Sequence, residues 1–354
     1  MKAIDLFAGA GGTSLGLKWA GFQILFANEI NRDAAETYIL NHPEVPLTLG
    51  DISMINPESI QKKFQLYDLD VLSGCPPCQG FSLAGRRQID DPRNGLFYHM
   101  IRFVKVLRPK MFVMENVKGL ASIGNGKILE SMLSNFSSLN YHVDSKVLTS
   151  SDYGVPQNRQ RIFIIGSSRD IETCELFNIK KKMEKVTVRA AISDLAFLDA
   201  GESATEYEIS PYTKYQAKMR KNSKHLFNHE SPRHSSEIQK RFSLIPTGKN
   251  HESSGMDVTN KHTCYKFNPD DVSRTITTLP EDFVHYDKNR IPTVRELARL
   301  QSFPDDFVFL GPRTTGGLSR KCSCPQYTQV GNAVPPLMAK EVFKNISRIL
   351  QKYF

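Results

Sequence analysis

Cysteine is scarce in this chain, with six unevenly spaced residues in 354. A disulfide-stapled secreted domain needs far denser cysteine, so that class is excluded and a reducing cytoplasm is expected. No run approaches the roughly 18 to 20 apolar residues of a membrane span, and the opening MKAIDLFAGAGG lacks a signal peptide's apolar core. Internal repeats and low-complexity tracts are also missing. We therefore predict a globular protein without a membrane partner, and expect a monomer.

The composition is that of an ordinary enzyme with a basic surface. Apolar residues make up 40% of the chain and charged residues 23%, enough for a substantial core. The net charge of +9 suggests a polyanionic partner but does not establish one.

The first 170 residues alternate short apolar runs with longer amphipathic stretches. The runs predicted as strands are KAIDLF, QILFANE, LDVLSG, MFVMEN, HVDSKVL and RIFIIGS. Strands that alternate with helices of ten or more residues predict an α/β fold with a mostly parallel sheet. Ligands of such sheets bind beyond the carboxyl ends of the strands.

A glycine cluster follows the first predicted strand. Gly9, Gly11 and Gly12 would let a ligand approach the backbone at the start of a helix. No lysine follows them, so this is not the phosphate loop of nucleotide hydrolases. Glu29 ends the second strand, where an acid commonly binds a ribose, and the pairing favours an adenosine-containing cofactor. A tight strand-to-helix turn without a ligand is the alternative.

The segment GCPPCQGFS at 74–82 holds two of the six cysteines. A redox pair would need a thioredoxin-like setting, and a zinc site would need a second regular pair, which Cys322 and Cys324 supply poorly. The rigid Pro-Pro-Cys-Gln-Gly loop instead favours Cys78 as an accessible nucleophile. A buried structural cysteine is the remaining alternative, and no metal is predicted.

An acid and two arginines complete the set of candidate catalytic residues. Glu115 ends an apolar strand, where partial desolvation raises a carboxyl pKa toward a proton-donating range. Arg159 and Arg161 are separated by one residue before another strand, so strand alternation predicts that both side chains point to the same side. They could hold an anionic or carbonyl oxygen, or form a solvated basic edge.

Together these segments resemble the DNA (cytosine-5)-methyltransferase family, in the family's order and nearly end to end. The matching strings are DLFAGAGG, NE at 28–29, GDI at 50–52, PPCQGFS, ENV at 115–117, QNRQR at 157–161, RELARLQSFPDDF and QVGNAVPP. The resemblance implies a Rossmann-like sheet that binds S-adenosylmethionine, with a smaller, irregular target recognition domain. The expected domains are 1–180 plus 325–354 for catalysis and 181–324 for recognition.

The resemblance also implies roles for individual residues. Cys78 would attack C6 of a flipped-out cytosine, Glu115 would act at N3, and Arg159 with Arg161 would steady O2. The implied cofactor contacts are Phe7, Gly9, Gly11, Gly12, Glu29, Ile30, Asp51, Ile52, Pro77, Leu96, Asn332 and Val334. The implied DNA contacts are Ser82, Arg86, Arg87 and Thr277. Ile30 departs from an aromatic found in some members, which weakens stacking on adenine.

The second half is less regular. VRAAISDLAFLDAG at 188–201 is predicted as one helix, and basic residues at 214–225 suit phosphate contacts. The final segment has helical apolar spacing and is expected to pack beside the first strand.

Double-stranded DNA is the expected partner, with a cognate restriction endonuclease or defence proteins as further candidates. A tRNA cytosine methyltransferase and a catalytically silent DNA-binding module are the competing functions. No Cys-Phe-Thr string of the tRNA branch occurs, and a silent module would be expected to lose Cys78, Glu115 or the arginines.

Overall fold

The computed structural model describes residues 1–77, 95–254, 264–314 and 323–354, and the chain divides into two compact units. Unit 1 comprises Met1–Thr149, Gln160–Lys181 and Pro336–Phe354, and unit 2 comprises Ser150–Arg159 and Lys182–Pro335. Compared with the domains expected from the sequence, residues 150–159 and 325–335 fall in unit 2.

Unit 1 is built on a seven-stranded sheet in the order β3-β2-β1-β4-β5-β7-β6. The strands β1 to β5 pair in parallel, and β7 pairs antiparallel with both β5 and β6. This confirms the predicted α/β class. The strands are β1 Lys2–Leu6, β2 Gln23–Glu29, β3 Leu47–Leu49, β4 Val71–Gly74, β5 Met111–Val117, β6 His142–Thr149 and β7 Gln160–Ser167.

Both units contain helices. They are α1 Gly12–Trp19, α2 Arg32–Asn41, α3 Pro57–Phe64, α4 Leu96–Leu107, α5 Lys127–Ser137, α6 Thr173–Leu176, α7 Val188–Ile192, α8 Lys214–Arg220, α9 Ser236–Leu244, α10 Val294–Leu300, α11 Gln326–Asn332 and α12 Pro336–Tyr353. Asn31 caps α2, because its side chain accepts a hydrogen bond from the Ala34 N–H.

The final helix, α12, packs against α1, whereas the sequence placed it beside β1. Gly16 of α1 faces Ala339 so closely that a Cβ at residue 16 would overlap it. The apolar stripe of α12 includes Val342, Phe343 and Ile346, all buried. Burial of this apolar stripe against α1 stabilises the segment 336–353 as a long helix.

The described part of unit 2 contains short helices and a small sheet of β8 Tyr265–Lys266 and β9 Phe283–Val284. The prediction of one helix over 188–201 is wrong, because α7 ends at Ile192 and a 3₁₀ turn follows. Asp194 in that turn is fully buried against Arg299 of α10, with an Nη1–Oδ1 distance of 2.9 Å. The turn after α7 is thus held by a tertiary contact that local helix propensity does not describe.

Candidate active site

The chain turns sharply where β1 ends. Phe7, Gly9 and Gly11 have φ values of 56°, 56° and 101°, all in the left-handed region that favours glycine. At Gly11 a Cβ would also overlap the imidazole of His42. At Gly9, no atom of the described residues lies within 4 Å of where a Cβ would be. The backbone at Gly9 is therefore approachable by a ligand, and Gly11 lets the turn close onto α2.

Glu29 is fixed by two backbone donors at the end of β2. Its Oε2 accepts a hydrogen bond from the Gly9 N–H at 2.7 Å, and its Oε1 accepts one from the Asn31 N–H at 2.8 Å. Burial raises the pKa of this carboxyl above its ordinary value of 4.5. Each carboxylate oxygen keeps lone-pair capacity, so Glu29 can accept further hydrogen bonds from a ribose.

Asn28 ties the ends of β2 and β3 together. Its Nδ2 donates to the carbonyls of Thr48 and Gly50 at 3.0 and 2.9 Å. Asp51 follows and accepts a hydrogen bond from the Ser53 N–H at 2.8 Å, which lowers the pKa of its carboxyl. The loop that carries Asp51 is thus held beside Glu29.

The other predicted cofactor residues of unit 1 offer different surfaces. Ile30 is 64% exposed, so an apolar contact with adenine is available there. Ile52 is buried in the core, which leaves only its backbone for a ligand. Pro77 is exposed, and Leu96, the first residue of α4, is half-buried.

A second group of polar residues lies where β5 and β7 pair. The Arg161 Nε contacts the Glu115 Oε1 at 3.0 Å, and both side chains are largely buried. The Cys75 sulfur lies 3.5 Å from the Thr13 hydroxyl, and burial together with the nearby charge of Glu115 raises the pKa of its thiol. The Arg161 guanidinium therefore orients the Glu115 carboxylate.

Asn116 connects this group to the segment that leads to Cys78. Its Nδ2 donates to the Pro76 carbonyl at 3.1 Å. The chain just before Cys78 is thus tied to the strand that carries Glu115.

A family model described as C-5 cytosine-specific DNA methylase matches residues 1–348. The chain belongs to that family. Membership makes the protein a DNA cytosine-5 methyltransferase with S-adenosylmethionine as the implied methyl donor. This confirms the family, the enzyme class and the Rossmann-like fold expected from the sequence.

Individual relatives agree with the family model. The Type II methyltransferase M.DdeI of Desulfomicrobium norvegicum is 39% identical and covers 98% of this chain and 88% of its own. M1.HphI of Haemophilus parahaemolyticus is 36% identical, and the match covers 98% of this chain and 86% of M1.HphI. A solved structure of a candidate DNA modification methyltransferase from an E. coli prophage covers 99% of both chains with a TM-score of 0.81 and 28% identity.

Arg159 of the methylase does not share the environment of Arg161. Alternation predicted that both side chains point to the same side, yet the Arg159 guanidinium is buried in unit 2. It donates to the carbonyls of Ile276, Gly331 and Asn332 at 3.0, 2.8 and 3.4 Å. The strand β7 begins only at Gln160, so strand alternation does not apply to residue 159.

The remaining predicted residues of unit 2 occupy defined positions. The Thr277 hydroxyl donates to Asp282 at 2.6 Å, and Asn332 ends α11. Val334 is buried. Cys78, Ser82, Arg86 and Arg87 of the methylase lie outside the described residues.

Several polar residues around the site were missed by the sequence reasoning. Asp5 in β1 accepts a hydrogen bond from Ser14 of α1, while Gln157, and Gln301 after α10, hold the segments that carry Thr277 and Asn332. A buried amide among predicted strands and loops gives no periodic signal. Only its position inside a motif string, as with Gln157 in QNRQR, could have indicated it.

Replacement of Cys75 by alanine tests whether this cysteine is a bystander. Burial raises the pKa of its thiol well above the ordinary 9.0, so it stays protonated and is a poor nucleophile. Arg161 still holds Glu115 in the variant, so we expect kcat to stay within about tenfold of the wild type. Initial-rate assays with methyl-labelled cofactor measure this. Complete loss of transfer in a folded variant would give Cys75 an essential role.

Asp5→Asn tests the buried network beneath the glycine turn. Asp5 is fully buried, accepts a hydrogen bond from the Ser14 hydroxyl at 2.6 Å, and has its pKa raised by burial from 3.8 to about 6. The folded state therefore binds the Asp5 proton more tightly, so the contribution of Asp5 to the free energy of unfolding falls as the pH rises from 4 to 6. We expect the stability of Asp5→Asn relative to wild type to rise by up to about 3 kcal/mol across this window. Urea denaturation at several pH values measures it, and parallel curves would contradict the assignment.

In the described part of the methylase, no helix is long and apolar enough to cross a bilayer. The same residues contain no group of three or more His, Cys, Asp or Glu side chains arranged to hold a metal ion.

Proposed function

We propose that this methylase transfers a methyl group to C5 of one cytosine within a short, specific sequence of double-stranded DNA, through a covalent bond between Cys78 and C6. The Glu115–Arg161 pair is the observation that carries the proposal. A buried carboxylate with an oriented guanidinium suits a ring that must gain electron density during reaction. The cytosine would be flipped out of the duplex to reach these groups.

The chemistry assigns one task to each side chain. Attack of the Cys78 thiolate on C6 converts the unreactive C5 into an enamine-like carbon. Glu115 protonates or hydrogen-bonds N3 to drive that attack, and Arg161 steadies O2. A base then removes the C5 proton, and elimination releases Cys78.

The residues at the ends of β1, β2 and β3 fit S-adenosylmethionine. When bound, this cofactor supplies the electrophilic methyl group that the activated C5 takes up. Glu29 would accept hydrogen bonds from the ribose, and Asp51 would lie at the adenine. The backbone at Gly9 would leave space for the remaining part of the cofactor. Asn332 and Val334 of unit 2 remain predicted contacts.

The biological setting follows from the names of the relatives. M.DdeI and M1.HphI are both called Type II methyltransferases. We infer that this methylase protects DNA in a restriction-modification or defence system, with a cognate endonuclease as its partner.

The deciding experiment incubates the protein with labelled S-adenosylmethionine and, in parallel, unmethylated genomic DNA or total tRNA. Bisulfite sequencing of the product then locates the modified cytosines. Label at C5 within one short DNA motif supports the proposal and supplies the target sequence. Label only in tRNA, or none in either despite cofactor binding, would refute it.

A further inference from the structure

We propose that Arg159 is a positioning residue, whose guanidinium sets the spacing between the segment that carries Thr277 and the C-terminal end of α11, which carries Asn332. These are a predicted DNA contact and a predicted cofactor contact, so one buried side chain would serve both substrates. The inference rests on the proposed function, because it gives roles to residues of the same site.

Arg159 bridges two segments that are far apart in sequence. Its Nη1 donates to the Ile276 carbonyl at 3.0 Å, and its Nη2 donates to the Gly331 carbonyl at 2.8 Å. The side chain is only 2% exposed, and both of these acceptors are backbone carbonyls. Charge-assisted hydrogen bonds are stronger than neutral ones and need fixed geometry, so both segments are held in one relation.

Two glutamines make a second bridge between the same segments. The Gln157 Oε1 accepts a hydrogen bond from the Ile276 N–H at 2.8 Å, so the backbone of Ile276 is held at both its N–H and its carbonyl. The Gln157 Nε2 donates to the Gln301 Oε1 at 2.9 Å, and the Gln301 Nε2 donates to the Val330 carbonyl at 2.6 Å. Both glutamines are fully buried.

Gly331 brings the two segments into direct contact. A Cβ at this position would overlap the Thr277 carbonyl carbon and oxygen. The hydroxyl of Thr277 is itself engaged, since it donates to Asp282 and accepts from the Leu279 N–H at 3.3 Å. These two hydrogen bonds fix the side-chain rotamer of Thr277. The backbone of Thr277 already touches Gly331, so the two cannot move closer together.

The contacts of Arg159 argue against the ring contact that the sequence suggested. Two of its guanidinium nitrogens already serve three carbonyls inside unit 2. Arg161, in contrast, faces the Glu115 carboxylate. In this proposal Arg159 positions two backbone segments, and Arg161 acts beside Glu115 on the cytosine ring.

The test replaces Arg159 by lysine. Lysine keeps the positive charge but lacks the planar guanidinium that lets arginine donate to the Ile276 and Gly331 carbonyls at the same time. Arg295→Lys is the matched control, because Arg295 is equally buried in unit 2 and donates to the carbonyls of Phe227, Pro304 and Phe307. The readouts are Tm, KM for DNA, KM for S-adenosylmethionine, and kcat per active site. Active sites are counted by covalent trapping on DNA that contains 5-fluorocytosine.

For Arg159→Lys we expect both KM values to rise roughly fivefold or more, with kcat per trapped site within about threefold of wild type. Arg295→Lys should lower Tm and leave both KM values unchanged. A fall in kcat of about 100-fold with unchanged KM would overturn the proposal in favour of direct ring contact. Wild-type kinetics per active site with only a lower Tm would also overturn it.

Gly331→Ala is the second variant, used if Arg159→Lys does not fold. Its methyl group would push Thr277 away, so both KM values should rise, and unchanged values would refute the proposal. If the wild type methylated no DNA, the proposed function would fail by itself. Direct titration of DNA and S-adenosylmethionine onto the same variants would then still decide whether Arg159 positions both segments.

Discussion

Cys78→Ala should lose methyl transfer by roughly 10³-fold or more, while it still binds DNA and S-adenosylmethionine with near wild-type affinity. The reason is chemical, because C5 of cytosine becomes nucleophilic only after a thiolate adds to C6. Single-turnover assays measure the loss, and equilibrium titrations of cofactor and DNA measure the retained binding.

The matched control is Cys75→Ala, which removes a thiol three residues away. DNA containing 5-fluorocytosine should trap wild type and Cys75→Ala as covalent complexes on a denaturing gel, but not Cys78→Ala. The raised pKa of Cys75 explains the difference, since its thiol is protonated at neutral pH. A trapped complex of Cys78→Ala would show that another group is the nucleophile.

Glu115→Gln should lower kcat by about 10²- to 10⁴-fold, because an amide cannot protonate or fully hydrogen-bond N3. Glutamine preserves the shape and an oxygen for Arg161, whose Nε contacts Glu115 at 3.0 Å. The largely buried guanidinium loses its counter-charge, so we also expect the variant to unfold about 1–3 kcal/mol more easily. Single-turnover rates and urea denaturation measure the two effects separately.

Glu130→Gln makes the same charge change at an exposed position of α5 and should alter neither rate nor stability. Adduct formation on 5-fluorocytosine DNA should be slower in Glu115→Gln, since N3 protonation assists attack at C6. If Glu115→Gln kept wild-type rates, the carboxylate would be only a structural partner of Arg161.

The parts of the site that follow strand ends were predictable from sequence. Gly9 lies three residues after β1, Glu29 is the last residue of β2, and Glu115 lies two residues before the end of β5, so the parallel strands bring all three toward one edge. Their residue types then indicate a cofactor and an acid. Local pattern was sufficient because each side chain acts near its own strand.

Residues that act across long sequence distances were not predictable. Arg159 was expected to lie with Arg161, and only the fold shows its bonds to residues 276 and 331. The prediction of one helix over 188–201 was wrong in a similar way, because it did not include the contact between Asp194 and the distant Arg299. Such pairings depend on tertiary contacts that neither spacing nor periodicity encodes.

The position of α12 has a consequence for how the protein is made. Unit 1 ends with Pro336–Phe354, and α12 covers α1, the helix that starts at the glycine turn. During synthesis unit 2 emerges completely before this last segment, so the nascent chain holds α1 without its cover. The packing surface of α1 around Gly16 is thus covered only after unit 2 has been made, and a nascent chain should protect the amides of α1 from hydrogen exchange only once α12 has left the exit tunnel.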